Sequence, residues 1–340
     1  MKNEQKTAVV LMNLGGPDKP ESIRPFLFNF FMDKNIIGAP KPVRYLIARW
    51  ISWSRGRGAA KTAYDALGGK SPLLENTQAQ ADALQRVLDA AGLQAKVFVT
   101  MRYWHPMSAA VTRAVQAYAP DKIILLPLYP QFSTTTSFSS IQDWQRSADA
   151  IGMTIPTEKI CCYPFAEGFI KASADLVRAA LEKAPAKTRV LFSAHGLPEK
   201  VIQGGDPYQY QCEESAAKIA AAVGMENLDW QVCYQSRVGP MKWIGPSTEE
   251  ALDKAAADGV GVVIYPHAFV NEHVETLVEI EEEYRAYAKE KGIPYFGRVP
   301  TVAIHPVFID ALAKLVTERL AGGKNARICP VTFKRCGCSL

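Results

Sequence analysis

Short apolar runs alternate with longer amphipathic stretches along nearly the whole chain, and the alternation restarts near its middle. Ala8–Leu14 (AVVLMNL), Ala95–Met101 (AKVFVTM), Lys122–Leu128 (KIILLPL) and Thr157–Tyr163 (TEKICCY) read as strands. Helical patterns over Thr77–Ala91 and Ser108–Tyr118 precede the second and third of them. The second round has strands at Arg189–Ser193, Trp230–Tyr234, Gly261–Tyr265 and Tyr295–Arg298. Helical patterns there cover Tyr208–Val223, Thr248–Ala257, Val274–Lys291 and His305–Leu320. Strand and helix repeated in this order is the signature of parallel sheets covered by helices. A length of 340 residues exceeds what one core usually holds, so two α/β domains of about four strands each are expected, joined near residues 164–186.

Charge and composition narrow the functional classes. A net charge of +5 without any Lys/Arg block argues against nucleic-acid binding and leaves a membrane surface or an anionic ligand open. Met1–Lys6 is polar and runs straight into an apolar strand, so no secretory signal is expected. No run of about 18 apolar residues exists to make a transmembrane helix. The expected compartment is the cytoplasm. Seven cysteines in that compartment suggest metal or redox chemistry more than disulfides.

In open α/β sheets, ligands sit beyond the carboxyl ends of strands. The first such turn is Leu14-Gly15-Gly16-Pro17-Asp18, which is not a dinucleotide fingerprint, and Pro17 lacks the N–H a pyrophosphate would use. No Walker A pattern is present. The segment Phe192–Pro198 (FSAHGLP) places His195 at a strand end inside a Gly/Pro turn. That imidazole is either a strand cap, an acid–base group or a metal ligand. Phe269–Leu277 (FVNEHVETL) opens a helix after another strand and packs Glu272, His273 and Glu275 together. Acids at a helix N-terminus are ordinary, but two carboxylates and an imidazole at one strand end point to chemistry. Tyr234–Pro246 (YQSRVGPMKWIGP) is a long loop in which Trp243 offers a flat stacking surface.

The phrases LGGPD, RYWHP, YPQFSTTT, FSAHGLP, YQSRVGPMKWIGP and FVNEHVETL, in this order and spacing, resemble the ferrochelatase family along nearly the whole chain. The resemblance implies two Rossmann-like domains, each a mostly parallel sheet of about four strands flanked by helices, enclosing a cleft (the chelatase fold). The corresponding domains are residues 1–175, with an apolar lip at about 22–55, residues 176–320, and a cysteine-rich tail at 321–340. The implied reaction inserts Fe²⁺ into protoporphyrin IX with release of two protons. His195 matches the family's essential histidine, and Glu275 its essential acid on the opposite wall. Glu272 and His273 would extend a polar track for iron or protons towards solvent; oxygen and imidazole donors suit loosely held Fe²⁺.

Candidate apolar porphyrin contacts are Leu14, Tyr103, Trp243 and Phe269. Candidate propionate partners are Arg55, Arg57, Ser71 and Arg102; guanidinium pairs carboxylate through two hydrogen bonds. The lip, with FLFNFF, YLIARW and ISW between basic residues, is either two core-packed helices or a peripheral contact at the inner face of a membrane. A homodimer is compatible with all of this.

Cys329, Cys336 and Cys338 form a C-x6-C-x-C tail, and Cys161 or Cys162 can add a fourth thiolate. Four thiolates suit a [2Fe–2S] cluster or Zn²⁺. The tail is similar to that of bacterial ferrochelatases with a [2Fe–2S] cluster. Adjacent side chains on a strand face opposite ways, so one of Cys161 and Cys162 is expected as ligand, with Cys161 preferred. Cys212 and Cys233 read as buried thiols. Three other readings stay open: a chelatase for coproporphyrin, in which a Tyr often stands where this chain has Leu14; a non-catalytic haem or tetrapyrrole carrier; and a cobalt or nickel chelatase for another tetrapyrrole.

Overall fold

The computed structural model describes residues 5–237, 239, 241–324 and 326–338. The chain forms two compact units. The first comprises Met1–Tyr129, Ser133–Cys162 and Leu312–Asn325; the second comprises Pro130–Phe132, Tyr163–Ala311 and Ala326–Leu340.

The first unit is built on four parallel strands: β1 (Thr7–Asn13), β2 (Ala95–Met101), β3 (Lys122–Pro127) and β4 (Thr157–Lys159), in the order β2-β1-β3-β4. Every residue of β1 is buried, as a central strand covered on both faces requires. On one face Ala8, Val10 and Met12 pack with Ile123, Leu125, Val111, Val115 and Trp144. Burying an aliphatic side chain of this size stabilises by about 1.5–3 kcal/mol, so β1 is a main anchor of the unit. The helices are α1 (Ile23–Phe31), α2 (Lys41–Arg55), α3 (Ala59–Ala66), α4 (Leu73–Ala90), α5 (Ser108–Tyr118) and α6 (Ser137–Asp149).

β4 is shorter than the sequence suggests. It pairs with β3 over Thr157–Lys159 only, and Cys161 and Cys162 lie beyond it. The alternation expected of a strand therefore does not hold there: the two Sγ atoms are 3.3 Å apart, on the same side.

The second unit repeats the plan with β5 (Thr188–His195), β6 (Trp230–Gln235), β7 (Gly261–Tyr265) and β8 (Phe296–Arg298), all parallel, in the order β6-β5-β7-β8. Its helices are α7 (Glu167–Leu181), α8 (Glu199–Gln203), α9 (Tyr208–Val223), α10 (Thr248–Ala257), a π-helix (Glu275–Tyr284) and α11 (Arg285–Glu290). α12 (Pro306–Leu320) begins in this unit and ends in the first. Leu191, Cys233, Leu252, Val262, Ile264, Ile280 and Tyr284 pack together between sheet and helices.

Two expectations about the join are corrected. Residues 164–186 are not a linker, because α7 occupies most of them and packs on α9 and β7. A boundary at 175/176 would cut that helix in half. The pattern at Val274–Lys291 is helical, but Glu275–Tyr284 within it is wound as a π-helix.

The strand order reverses between β5 and β7, since β6 lies on one side of β5 and β7 on the other. Their carboxyl ends flank the topological switch point, where doubly wound sheets hold ligands.

Candidate active site

His195 is the last residue of β5, and Glu275 is the first of the π-helix that follows β7. The two are 80 residues apart in sequence, yet His195 Nδ1 and Glu275 Oε2 lie 3.0 Å apart. Both belong to the second unit, so they do not come from opposite walls as the sequence resemblance implied. Both stay partly open to solvent, with 35% and 27% of their side-chain surface exposed, so the pair can meet a substrate.

Gln235 and Ser236 fix the site from β6. The Gln235 Oε1 accepts from Ser193 Oγ at 2.7 Å, which orients its amide. Its Nε2 then donates to Glu275 O at 2.9 Å and to Glu279 Oε2 at 3.0 Å. Ser236 has φ +60°, a left-handed conformation costly for a residue with a Cβ. That conformation lets its N–H and its hydroxyl both donate to Glu279, at 2.7 and 2.5 Å. Tyr284 Oη donates a further bond to Glu279 at 3.0 Å.

Gly196 follows the histidine for a steric reason. A Cβ there would stand 2.9 Å from Arg237 Cγ and 3.0 Å from Gln235 O. Its absence lets the loop after β6 run alongside, with Glu199 N donating to Lys242 O and Ile244 N to Leu197 O. Trp243 is thereby held half-buried against Gly196. Within that loop Val238 and Pro240 lie outside the described residues.

Charges in the cluster are strongly coupled. Burial disfavours the His195 imidazolium, but the adjacent Glu275 carboxylate, helped by Glu279, outweighs burial and raises the pKa above its ordinary value. Burial likewise disfavours the Glu275 carboxylate; the charge and hydrogen bond of His195, with His273 and Ser236, hold it down at about 2. Glu279 is shifted upward, by burial first and then by the charge of Glu275. Burial lowers the pKa of His273.

The structure redistributes the other candidates. Glu272 does not extend the track: both its oxygens accept from Arg298 Nη1 at 3.0 Å, and it also accepts from Thr301 N and Thr276 Oγ1. It clamps the segment after β8. His273 Nδ1 accepts from Glu275 N at 3.1 Å, and its ring packs edge-on to Phe269, with centroids 4.6 Å apart. The carboxylate that joins Glu275 is Glu279, which the sequence reading missed. A second acid four residues along the same helix was the available signal.

In the first unit, Leu14 is half-buried just past β1. Ser71 is buried, and its N–H donates to Pro17 O at 2.8 Å. Gly16 permits that approach, since a Cβ would lie 2.5 Å from Ser71 Cβ. Arg55 is partly exposed at the end of α2, and the exposed Arg57 guanidinium lies over Trp53 at 4.8 Å. Arg102 is not available to a propionate. It donates to Asp33 Oδ2 at 3.0 Å and to Ser139 Oγ at 2.8 Å. Tyr103 is 1% exposed and donates to Asp33 at 2.7 Å, so it is core and not an apolar wall.

The tail thiols of Cys329 and Cys336 are buried and hydrogen-bonded to one another, and Cys329 also feels Cys338. Burial pushes the Cys329 thiol up to about 12. Cys338 Sγ lies 3.5 Å from Ala326 O. Among the described residues, no three His, Cys, Asp or Glu side chains are gathered to hold a metal ion. Thiols suit soft-metal ligation in chemical type. Cys212 and Cys233 are fully buried, and burial raises both thiols.

The model of the ferrochelatase family matches residues 6–320. The chain belongs to the ferrochelatase family. It is 48% identical over 341 residues to the ferrochelatase of Phenylobacterium zucineum, covering 98% of both chains. It is 50% identical over 337 residues to that of Caulobacter vibrioides, covering 98% of this chain and 95% of the other. SirB from Bacillus subtilis with Fe³⁺ shares the fold at a TM-score of 0.57 and 12% identity, over 93% of this chain and 96% of that one. The family match ends at residue 320, so the cysteine tail lies outside it.

Proposed function

We propose that this member of the ferrochelatase family inserts Fe²⁺ into protoporphyrin IX, with His195 and Glu275 as the groups at the reacting centre. The observation that carries the reading is their 3.0 Å contact at the switch point of the second sheet, partly open to solvent. Metal insertion requires two pyrrole N–H protons to leave. A neutral His195 accepts one, and Glu275 stabilises the imidazolium that forms. Glu279, whose pKa is raised by burial and by the charge of Glu275, is the better of the two carboxylates to take the second. Carboxylate and imidazole also suit transient Fe²⁺ contact. Trp243 and Phe269, both on the same unit, supply flat apolar surface for the macrocycle.

Leu14 supports protoporphyrin over coproporphyrin as substrate. Anaerobic incubation of purified protein with Fe²⁺ and each porphyrin, followed by haem absorbance, decides between them. Faster turnover of coproporphyrin overturns the substrate assignment. His195→Ala and Glu275→Gln proteins that still form haem at the wild-type rate overturn the site and favour a carrier.

Cys329, Cys336 and Cys338, with Cys161 or Cys162, are proposed to hold a [2Fe–2S] cluster, which would tie the tail to the body. The vicinal sulfurs of Cys161 and Cys162 face the same way, so single Ser variants of each are needed to find the ligand. A colourless zinc protein from iron-replete cells sinks the cluster assignment. No helix among the described residues is long and apolar enough to cross a membrane. α2 instead presents Leu46, Trp50 and Trp53 to solvent beside Arg49, which supports a peripheral contact with an anionic bilayer.

A further inference from the structure

α1 and α2 pack against one another in the first unit, and a groove runs between them that the chemistry at His195 does not use. The groove has two hollows of about 420 and 400 Å³, and Arg24 of α1 and Arg49 of α2 line both. Helical spacing on α2 accounts for this. Tyr45, Arg49 and Ser52 recur at i, i+4 and i+7 and line the first hollow, opposite Glu21 and Phe28. Leu46, Arg49, Trp50 and Trp53 recur at i, i+3, i+4 and i+7 and line the second. Arg49 belongs to both faces, so the two arginines mark the border between the hollows.

Local packing sets the arginines in place. Phe28 and Tyr45 meet edge to face across the helix pair, with ring centroids 5.5 Å apart. Gly56 caps α2, and a Cβ there would meet Ser52 O at 2.6 Å and Arg24 Cβ at 3.4 Å. Glycine thus lets Arg24 approach the end of the helix. Both arginines are exposed, and neither forms an ion pair among the described residues. Glu21 is the one acid among the described residues that line the groove.

Resting on the reading of α2 as a bilayer contact, we propose that this groove binds the phosphate of one anionic phospholipid. Arg24 and Arg49 take the phosphate oxygens, and the face carrying Leu46, Trp50 and Trp53 receives the acyl chains. Guanidinium meets phosphate through two parallel N–H donors, a match that a point charge does not make. The ligand is an amphiphile because the cations border a large exposed apolar face, which a free phosphate ester would leave in water. Indole rings settle at the headgroup level of a bilayer, which puts Trp50 and Trp53 at the depth of the phosphate. A flat macrocycle fits less well: Trp50 is 67% and Trp53 44% exposed, so neither ring belongs to a slot that could enclose one.

The test uses the full-length protein and dihexanoyl phosphatidylglycerol below its micelle concentration, followed by titration calorimetry. Glycerol 3-phosphate and the phosphatidylcholine of the same chain length are the comparison ligands. The expected result is saturable binding at one site, with both comparison ligands weaker by about tenfold or more. Arg24→Gln and Arg49→Gln should each weaken binding by about tenfold, and Arg49→Lys should restore part of the loss. Both side chains are exposed, so these variants should melt as wild type does. Lys41→Gln removes the same charge from α2 outside the groove and should leave the affinity unchanged. Equal weakening by Lys41→Gln, equally tight glycerol 3-phosphate, or displacement of the lipid by protoporphyrin at lower concentration each overturns the proposal. Sedimentation of wild type with phosphatidylglycerol vesicles is measured alongside. If it occurs while the arginine variants bind the soluble lipid as wild type does, the groove assignment falls and the bilayer reading stands. If wild type neither sediments nor binds the soluble lipid, both fall.

Discussion

Glu275 and Glu279 sit four residues apart on one π-helix, and their surroundings push their carboxyl groups in opposite directions. Glu275, beside His195, is held at about 2, whereas Glu279, bonded to Ser236, Gln235 and Tyr284, is raised by burial and by the charge of Glu275. Two like groups separated in this way take different protonation states at one pH, which is how a site divides acid and base roles. Glu279→Gln keeps the shape and removes the charge. The charge of Glu279 helps to raise His195, so its loss must lower the His195 pKa. The expected outcome is a pH–rate profile whose His195 limb moves to lower pH. The loss in kcat should be smaller than the roughly 10²–10⁴-fold expected for removing His195 itself. Steady-state rates of haem formation across pH check both points.

The same pair sets a window for stability. His195 has a folded pKa above 6.5, so its contribution is complete below that value and is lost as pH rises through the folded pKa. Glu275 is depressed from 4.5 to about 2, so its contribution is present above 4.5 and is lost as pH falls towards 2. Both conditions hold between 4.5 and 6.5. Thermal unfolding of wild type and His195→Ala should differ most inside that window, and the gap should narrow above it. A gap that widens towards pH 9 contradicts the pairing.

The sheets were legible because central parallel strands are nearly continuous apolar runs, and β1, β3 and β7 show that in their sequences. The end of β4 was not, because an edge strand held by three residues leaves little imprint, and the apolar ICCY that follows lies beyond the ladder, with Ile160 N still donating to Leu125 O. The π-helix was illegible because hydrophobic spacing cannot register one extra residue per turn. The residues at the site could be nominated one by one, His195 and Glu275 among them. Their mutual placement could not: whether Glu275 faces the end of β5 depends on the turn after β7, to which chain separation is blind. Arg102 and Tyr103 misled because an Arg and a Tyr after a strand look alike whether they wait for a ligand or bind a buried Asp33.

That Asp33 cluster yields a stability prediction. Asp33 has 2% of its side chain exposed and accepts from Arg102, Tyr103 and Ser139. Burial disfavours its carboxylate, but Arg102 and the hydrogen bonds overcome this and lower its pKa. Asp33→Ala removes the nearer of two carboxylates beside the buried Arg102 guanidinium, leaving Asp143 at 3.7 Å, so the cost approaches the about 3–5 kcal/mol of breaking a buried pair. Urea unfolding should show a loss of that order. Arg102→Met should also destabilise, with the KM for porphyrin unchanged in the protein that remains folded. A raised KM with normal stability would return Arg102 to the list of propionate partners.

The apolar face of α2 gives the last test. Leu46 is 66% exposed and Trp50 67%, an unusual outlay of large apolar surface for residues one turn apart. Lys41, Arg44 and Arg49 share the helix, and it carries no acidic residue. A bilayer with anionic headgroups complements both features: rings and aliphatic chains enter the acyl boundary while basic residues remain at the headgroups. Wild-type protein should therefore sediment with vesicles of phosphatidylglycerol and phosphatidylcholine, and less so as salt rises. Leu46→Glu with Trp50→Glu should abolish sedimentation, because each adds charge where apolar contact is needed. Haem formation from detergent-dispersed porphyrin should survive the double change, since neither side chain is near His195 in sequence or belongs to its unit. If the double variant sediments as wild type does, α2 is not the contact. If wild-type protein is instead a dimer that the double change makes monomeric, the face pairs with a second copy and the bilayer assignment falls.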